Sequence, residues 1–92
     1  MREKHIEKAV CQFARDHGCL ILKLAGPNAK GQPDRLILKD GKALFLELKA
    51  PNKKPTKLQE KWLRLLREQG FAAEWTDDIG EGRTMVRGAL LG

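Results

Sequence analysis

Apolar and polar positions follow two rhythms along this chain, and the switches between them mark its elements. Over residues 2 to 17, Ile6, Ala9, Val10, Phe13 and Ala14 recur at helical spacing, and Gly18 is a natural stop after His17. Residues 19 to 24, Cys-Leu-Ile-Leu-Lys-Leu, read as a strand. A loop from Ala25 to Gln32 follows, with Gly26-Pro27-Asn28 and Gly31 as breakers. Two apolar runs, Arg35 to Lys39 and Lys42 to Leu48, then flank Asp40-Gly41, the strongest short-range signal for a β-hairpin. Pro51 and Pro55 end strand pairing after Lys49. Thr56 opens a helix reaching about Gln69, with Leu58, Trp62, Leu65 and Leu66 as its apolar stripe. Phe71 to Trp75 reads as a strand and Asp77 to Gly82 as a polar turn. Thr84 to Leu91 reads as a short closing helix that packs on the sheet or on a partner subunit. The predicted order is helix, three strands, helix, strand, helix: a single α/β domain over residues 1–92, its mixed sheet flanked by helices.

The hairpin carries chemistry. A two-residue turn at Asp40-Gly41 pairs Lys39 with Lys42, and counting outward sets Leu38 against Ala43, Leu36 against Phe45 and Asp34 against Glu47. Directly opposed residues share a face with their Cβ atoms roughly 5 Å apart. Lys49, two residues beyond Glu47, points to the same side. Two carboxylates and an ammonium therefore converge at the open end. Opposed like charges weaken a sheet, and a divalent cation is the simplest compensation. The bland alternative is a solvated strand face. Against it, Glu47 and Lys49 are embedded in the apolar run of Leu44, Phe45, Leu46 and Leu48, where charge is costly unless paired or functional.

Composition changes the picture in three ways. Eighteen Lys and Arg against twelve Asp and Glu give a net charge of +6, which favours a polyanionic partner. Five aromatics, none of them tyrosine, leave few platforms for stacking bases. The chain lacks an apolar run of transmembrane length, and its start, Met-Arg-Glu-Lys-His, lacks the core of a signal peptide, so a cytoplasmic protein with reduced Cys11 and Cys19 is expected. Those cysteines with His5 and His17 match no common zinc spacing. A core this small also makes oligomerisation a common route to stability.

Pro33-Asp34, a spacer, and Glu47-Leu48-Lys49 resemble the PD-(D/E)XK nuclease signature. With Gly31-Gln32 in front, an acidic helix upstream and Gln59 downstream, the chain is similar to the VRR-NUC (virus-type replication-repair nuclease) branch, in its stand-alone phage form. The resemblance covers nearly the whole chain and implies a restriction-endonuclease-like core. It also implies a metal-dependent DNA endonuclease, specific for branched DNA such as Holliday junctions and acting as a homodimer. On this likeness Asp34 and Glu47 hold Mg²⁺ or Mn²⁺, with the Leu48 carbonyl as a further ligand. An acidic residue of the first helix completes the set, Glu7 or, one turn earlier, Glu3. Lys49 activates or positions the attacking water. Gln59 has two readings: the capping-box partner of Thr56, or a member of the active-site set.

Gly31 permits a backbone turn other residues avoid, and Pro33 aims Asp34. Lys30, Lys53, Lys54 and Lys57 stand around the predicted mouth, with Lys23 and Asn28, where phosphates would pass. Two other classes stay open at this point: a non-catalytic nucleic-acid-binding domain, and a structural subunit of a larger nuclease system.

Overall fold

A computed structural model of the chain describes residues 1–24 and 30–92. Its elements are α1 (Glu3–Asp16), β1 (Leu20–Lys23), β2 (Arg35–Lys39), β3 (Lys42–Leu48), α2 (Lys57–Glu68), β4 (Ala72–Thr76) and α3 (Ile79–Leu90), in the predicted order. The sheet runs β1-β2-β3-β4. The first three strands are antiparallel neighbours; β4 returns through α2 to lie parallel to β3, which makes the sheet mixed. Asp40 and Gly41 both have positive φ, 50° and 79°, the geometry a tight two-residue hairpin needs. The register is the predicted one: Lys39 faces Lys42, Leu38 faces Ala43 and Leu36 faces Phe45.

Side-chain alternation sorts the sheet into two faces. Ile37, Leu44, Leu46 and Leu48 point to one, where they join Ile6, Val10 and Ala14 of α1 and Val86 and Leu90 of α3 in the core. Leu36, Phe45 and Glu47 point to the other, where α2 lies over β3 and β4: Phe45 lines a pocket with Trp62 and Leu66, and Gln59 bonds to Glu47. Val10 and Gly82 show how closely α1 and α3 approach. A Cβ built on Gly82 would come within 2.7 Å of the Val10 side chain.

Two sequence expectations need correction. The segment read as a polar turn, Asp77 to Gly82, mostly begins α3: Asp78 caps the helix, its carboxylate accepting the Glu81 N–H at 2.8 Å. Gly80 and Gly82 made it look like loop, yet Gly82 is there for close packing. The buried line of α2 is also rotated from the predicted stripe. Leu63 is buried, with Gln59, Trp62 and Leu66 half-buried, while Leu58 and Leu65 are exposed, because the helix turns its polar start toward Glu47. The closing helix follows the first of its two readings, packing on the sheet: Leu90 is 1% exposed, in the chain's own core.

Candidate active site

The last ladder pair of the hairpin is Arg35 with Leu46, so Asp34 and Glu47 stand one step beyond it, where the strands part. Pro33 is buried and Gly31, with φ of 80°, brings the chain in beneath α2; a Cβ there would lie 2.4 Å from Leu58. The Asp34 carbonyl accepts the Leu24 N–H at 2.9 Å and an Arg35 guanidinium N–H at 3.1 Å. Its carboxylate is held more loosely, by the Leu48 N–H at 3.4 Å. Lys49 leaves the sheet under control too, its N–H donating to the Thr76 carbonyl at 2.9 Å.

Glu47 is the centre of the cluster and only 2% exposed. Its Oε2 faces two donors, the Lys49 ammonium at 3.4 Å and the Gln59 amide at 3.3 Å. Its Oε1 is buried and, among the described residues, has no hydrogen-bond partner. Burial first, and the Asp34 charge second, push the Glu47 carboxyl up from 4.5 to about 7, against the pull of Lys49. A buried carboxylate with one unpartnered oxygen, in the field of a second carboxylate, is the donor set a hard cation takes. The residues present therefore fit a bound divalent ion.

Gln59 satisfies both of its sequence readings at once. Its amide oxygen accepts the Thr56 N–H at 2.8 Å while its main-chain N–H donates to the Thr56 hydroxyl at 3.2 Å, closing the capping box. The remaining amide nitrogen turns to Glu47. The cap thus fixes the rotamer that delivers the site contact.

On α1, the Glu7 carboxylate pairs with the Arg35 guanidinium. The Glu3 carboxyl is raised by partial burial first and then by Asp34, with Lys49 opposing, which places it within the field of the same cluster. Among the described residues no three His, Cys, Asp or Glu side chains form a ready metal-holding group. The assembled part of the site is thus the Asp34–Glu47 pair with Lys49 and Gln59, and α1 adjoins it through Arg35. Lys23, Lys30, Lys53, Lys54 and Lys57 are all exposed on adjoining segments, whereas Asn28 lies outside the described residues. The loop carrying Lys53 and Lys54 is tied down by the Asn52 N–H, which donates to the Asp77 carboxylate at 2.8 Å. Cys11 and Cys19 are free and buried, and burial raises both thiols, which keeps them protonated.

Arg35 is the residue that pattern reading passed over. The signal was available: alternation puts Arg35 on the same face as Ile37, and a cation on a core-facing position demands a buried partner. The partner is Glu7. A hollow of about 400 Å³ lies at the opposite end of the hairpin around Leu20, Leu38 and Ala43, far from this chemistry.

Comparison with known proteins agrees with the geometry. No family model matches the chain. Over 60 residues it is 43% identical to a protein described as "Putative nuclease p44" from Acyrthosiphon pisum secondary endosymbiont phage 1, a match covering 64% of this chain and 64% of that protein's length. One solved structure described as a VRR_NUC domain superposes with a TM-score of 0.82 at 24% identity, covering 92% of this chain and 94% of the other. A second, a VRR_NUC domain protein, gives 0.76 at 18% identity over 95% and 86% of the two chains. The α/β fold expected from the sequence is that of these domains, and the expected likeness to the VRR-NUC branch holds at the level of the fold.

Proposed function

We infer that this chain, which has the fold of VRR-NUC domains, is a nuclease that hydrolyses phosphodiester bonds of DNA with a divalent cation. The observation that carries the reading is the buried Glu47 carboxylate, turned toward Asp34, with one oxygen lacking a hydrogen-bond partner among the described residues. The name of the matched phage protein points the same way.

In this reading Asp34 and Glu47 hold Mg²⁺ or Mn²⁺, the Leu48 carbonyl is a further ligand, and an acidic residue of α1, Glu7 or Glu3, completes the acidic set. The bound ion supplies charge for the transition state and eases deprotonation of water. The chain's own groups do the rest. Lys49, 15% exposed at its side chain and 3.4 Å from Glu47, holds a water or a phosphate oxygen beside the carboxylates and neutralises the negative charge that builds there. Gln59 keeps Glu47 in one orientation. Lys30, Lys53, Lys54 and Lys57 meet the phosphate backbone as solvent-facing cations, which suits the net charge of +6.

The substrate in this reading is branched DNA, such as a four-way junction, cut by a homodimer in the cytoplasm of a bacterial or phage-infected cell. A two-fold enzyme matches a two-fold substrate, with each protomer nicking one strand. The supporting surface is the half of the sheet that α2 leaves open, where Leu20 and Leu22 are 69% and 49% exposed. Among the described residues no helix is long and apolar enough to cross a membrane.

The test is cleavage of duplex, flap and four-way substrates with Mg²⁺, with Mn²⁺ and with EDTA. Asp34→Ala and Lys49→Ala are expected to abolish cutting while leaving DNA binding largely intact. Binding without cleavage by the unsubstituted protein under every condition would turn the assignment to a non-catalytic DNA-binding domain or a subunit of a larger nuclease.

A further inference from the structure

Arg35 opens β2 on the face that carries the core, beside Ile37, and is only 9% exposed. A guanidinium there has to find acceptors inside the fold. It finds two on different elements. One nitrogen donates to the Glu7 carboxylate of α1, and the other donates to the main-chain carbonyl of Asp34 at 3.1 Å. The same carbonyl takes the Leu24 N–H at the end of β1. The Asp34 main chain is therefore held from two sides, one of them through a helix on the far face of the sheet.

That contrasts with the Asp34 carboxylate, whose recorded bond is the long one from the Leu48 N–H at 3.4 Å. Asp34 also lies beyond the last ladder pair, so strand pairing does not orient it. A side chain that is weakly held on a firmly held backbone takes its position from the backbone. Only a planar fork can reach both acceptors together, and a lysine ammonium in its place has no such geometry.

We propose that Arg35 is a positioning residue for the cation centre: its guanidinium ties the Asp34 main chain to Glu7 of α1 and so sets where the Asp34 carboxylate stands relative to Glu47. The proposal rests on the reading of Asp34 and Glu47 as cation ligands. It assigns Arg35 no contact with substrate or with the ion.

The experiment compares wild type, Arg35→Lys and Glu7→Gln by Mn²⁺ calorimetry, by cleavage kinetics, and by hydrogen exchange of the Leu24 amide. Arg35→Lys is expected to weaken Mn²⁺ binding and lower kcat by about 10- to 100-fold, the usual effect of losing a group that orients a ligand. The KM for DNA should change little. The Leu24 amide, bonded to the Asp34 carbonyl, should exchange faster. Glu7 is 28% exposed at its side chain, so Glu7→Gln is expected to fold even where an Arg35 variant does not. It should likewise deprotect Leu24, a result that a carboxylate meeting only the ion would not produce. Folded Arg35→Lys with wild-type Mn²⁺ affinity and kcat overturns the proposal, as does unchanged Leu24 protection in Glu7→Gln. A wild-type protein that takes no Mn²⁺ overturns the cation reading itself, a distinct result.

Discussion

Glu47 is held in a state that costs the metal-free protein stability. Its folded carboxyl titrates near 7 and its ordinary value is 4.5, so the folded chain keeps a proton that the unfolded chain sheds. Stability from this group is therefore highest at pH below about 4.5 and is lost as pH rises through 7, with the full penalty above that. Glu47→Gln removes the penalty. Without metal, at pH 8, the variant should melt above wild type by more than about 4 °C, roughly the shift that 1 kcal/mol gives a domain of this size. At pH 4, below both values, the two should nearly coincide. Saturating Mn²⁺ should reverse the order at pH 8, and cleavage by the variant should vanish. Calorimetry across pH with and without Mn²⁺ checks the whole pattern; a wild-type melting temperature indifferent to pH between 5 and 8 would contradict it. Gln59 offers a finer dissection, since one amide serves both the helix cap and Glu47. Gln59→Ala loses both, so reduced activity with about 1 kcal/mol of lost stability cannot tell them apart. Gln59→Glu can still accept the Thr56 N–H but cannot donate to Glu47, and it brings a like charge. It should keep the cap, push the Glu47 carboxyl further up and cut less DNA at neutral pH than Gln59→Ala.

The elements were legible in the sequence wherever a local rule decided them. Asp40-Gly41 fixes a turn whose residues must take positive φ, and the turn fixes the register that brings position 34 to position 47. What escaped was set by contacts between elements. Periodicity finds a helical stripe but not its depth, so Leu58 and Leu65 were placed inward when α2 instead buries Leu63 and aims Gln59 at β3. The start of α3 escaped because glycine usually marks a loop, and only the packing of Val10 against Gly82 reveals its use here. The Glu7–Arg35 tie escaped because its partners are 28 residues apart in sequence. The α1–α3 packing yields its own prediction. Gly82→Ala puts a methyl 2.7 Å from Val10, in a spot where neither helix can yield without disturbing the core. It should destabilise by about 1–3 kcal/mol. Asp78→Ala, which removes the cap at the other end of that turn, should cost about 1 kcal/mol. Urea melts of the two variants check both figures. Neither residue belongs to the proposed cation site, so the cleavage rate of the folded fraction should stay at the wild-type value.

For the whole molecule the asymmetry of the sheet matters most. One face carries the core under α1 and α3, but α2 covers only the β3–β4 half of the other. The register sets Leu20 beside Leu38 and Leu22 beside Leu36, so these four share the open half, and β1 forms the sheet edge. The 400 Å³ hollow lined by Leu20, Leu38 and Ala43 lies within it. An apolar edge of this kind draws other strands unless something covers it. A second copy related by a two-fold axis would set leucines of each protomer against the hollow of the other, so that one patch serves both sides. Each protomer of such a dimer would keep its own Asp34, Glu47 and Lys49, at the opposite end of the hairpin from the hollow. Assembly and chemistry should therefore separate. Leu20→Glu with Leu22→Glu replaces side chains that are already exposed, so the fold should survive while the proposed dimer dissociates into monomers at micromolar concentration in sedimentation equilibrium. The variant should still nick duplex DNA at close to the wild-type rate per protomer and lose the paired incisions across a four-way junction. A wild-type protein that sediments as a monomer at that concentration, or a double variant that stays dimeric, would remove this face from the assembly.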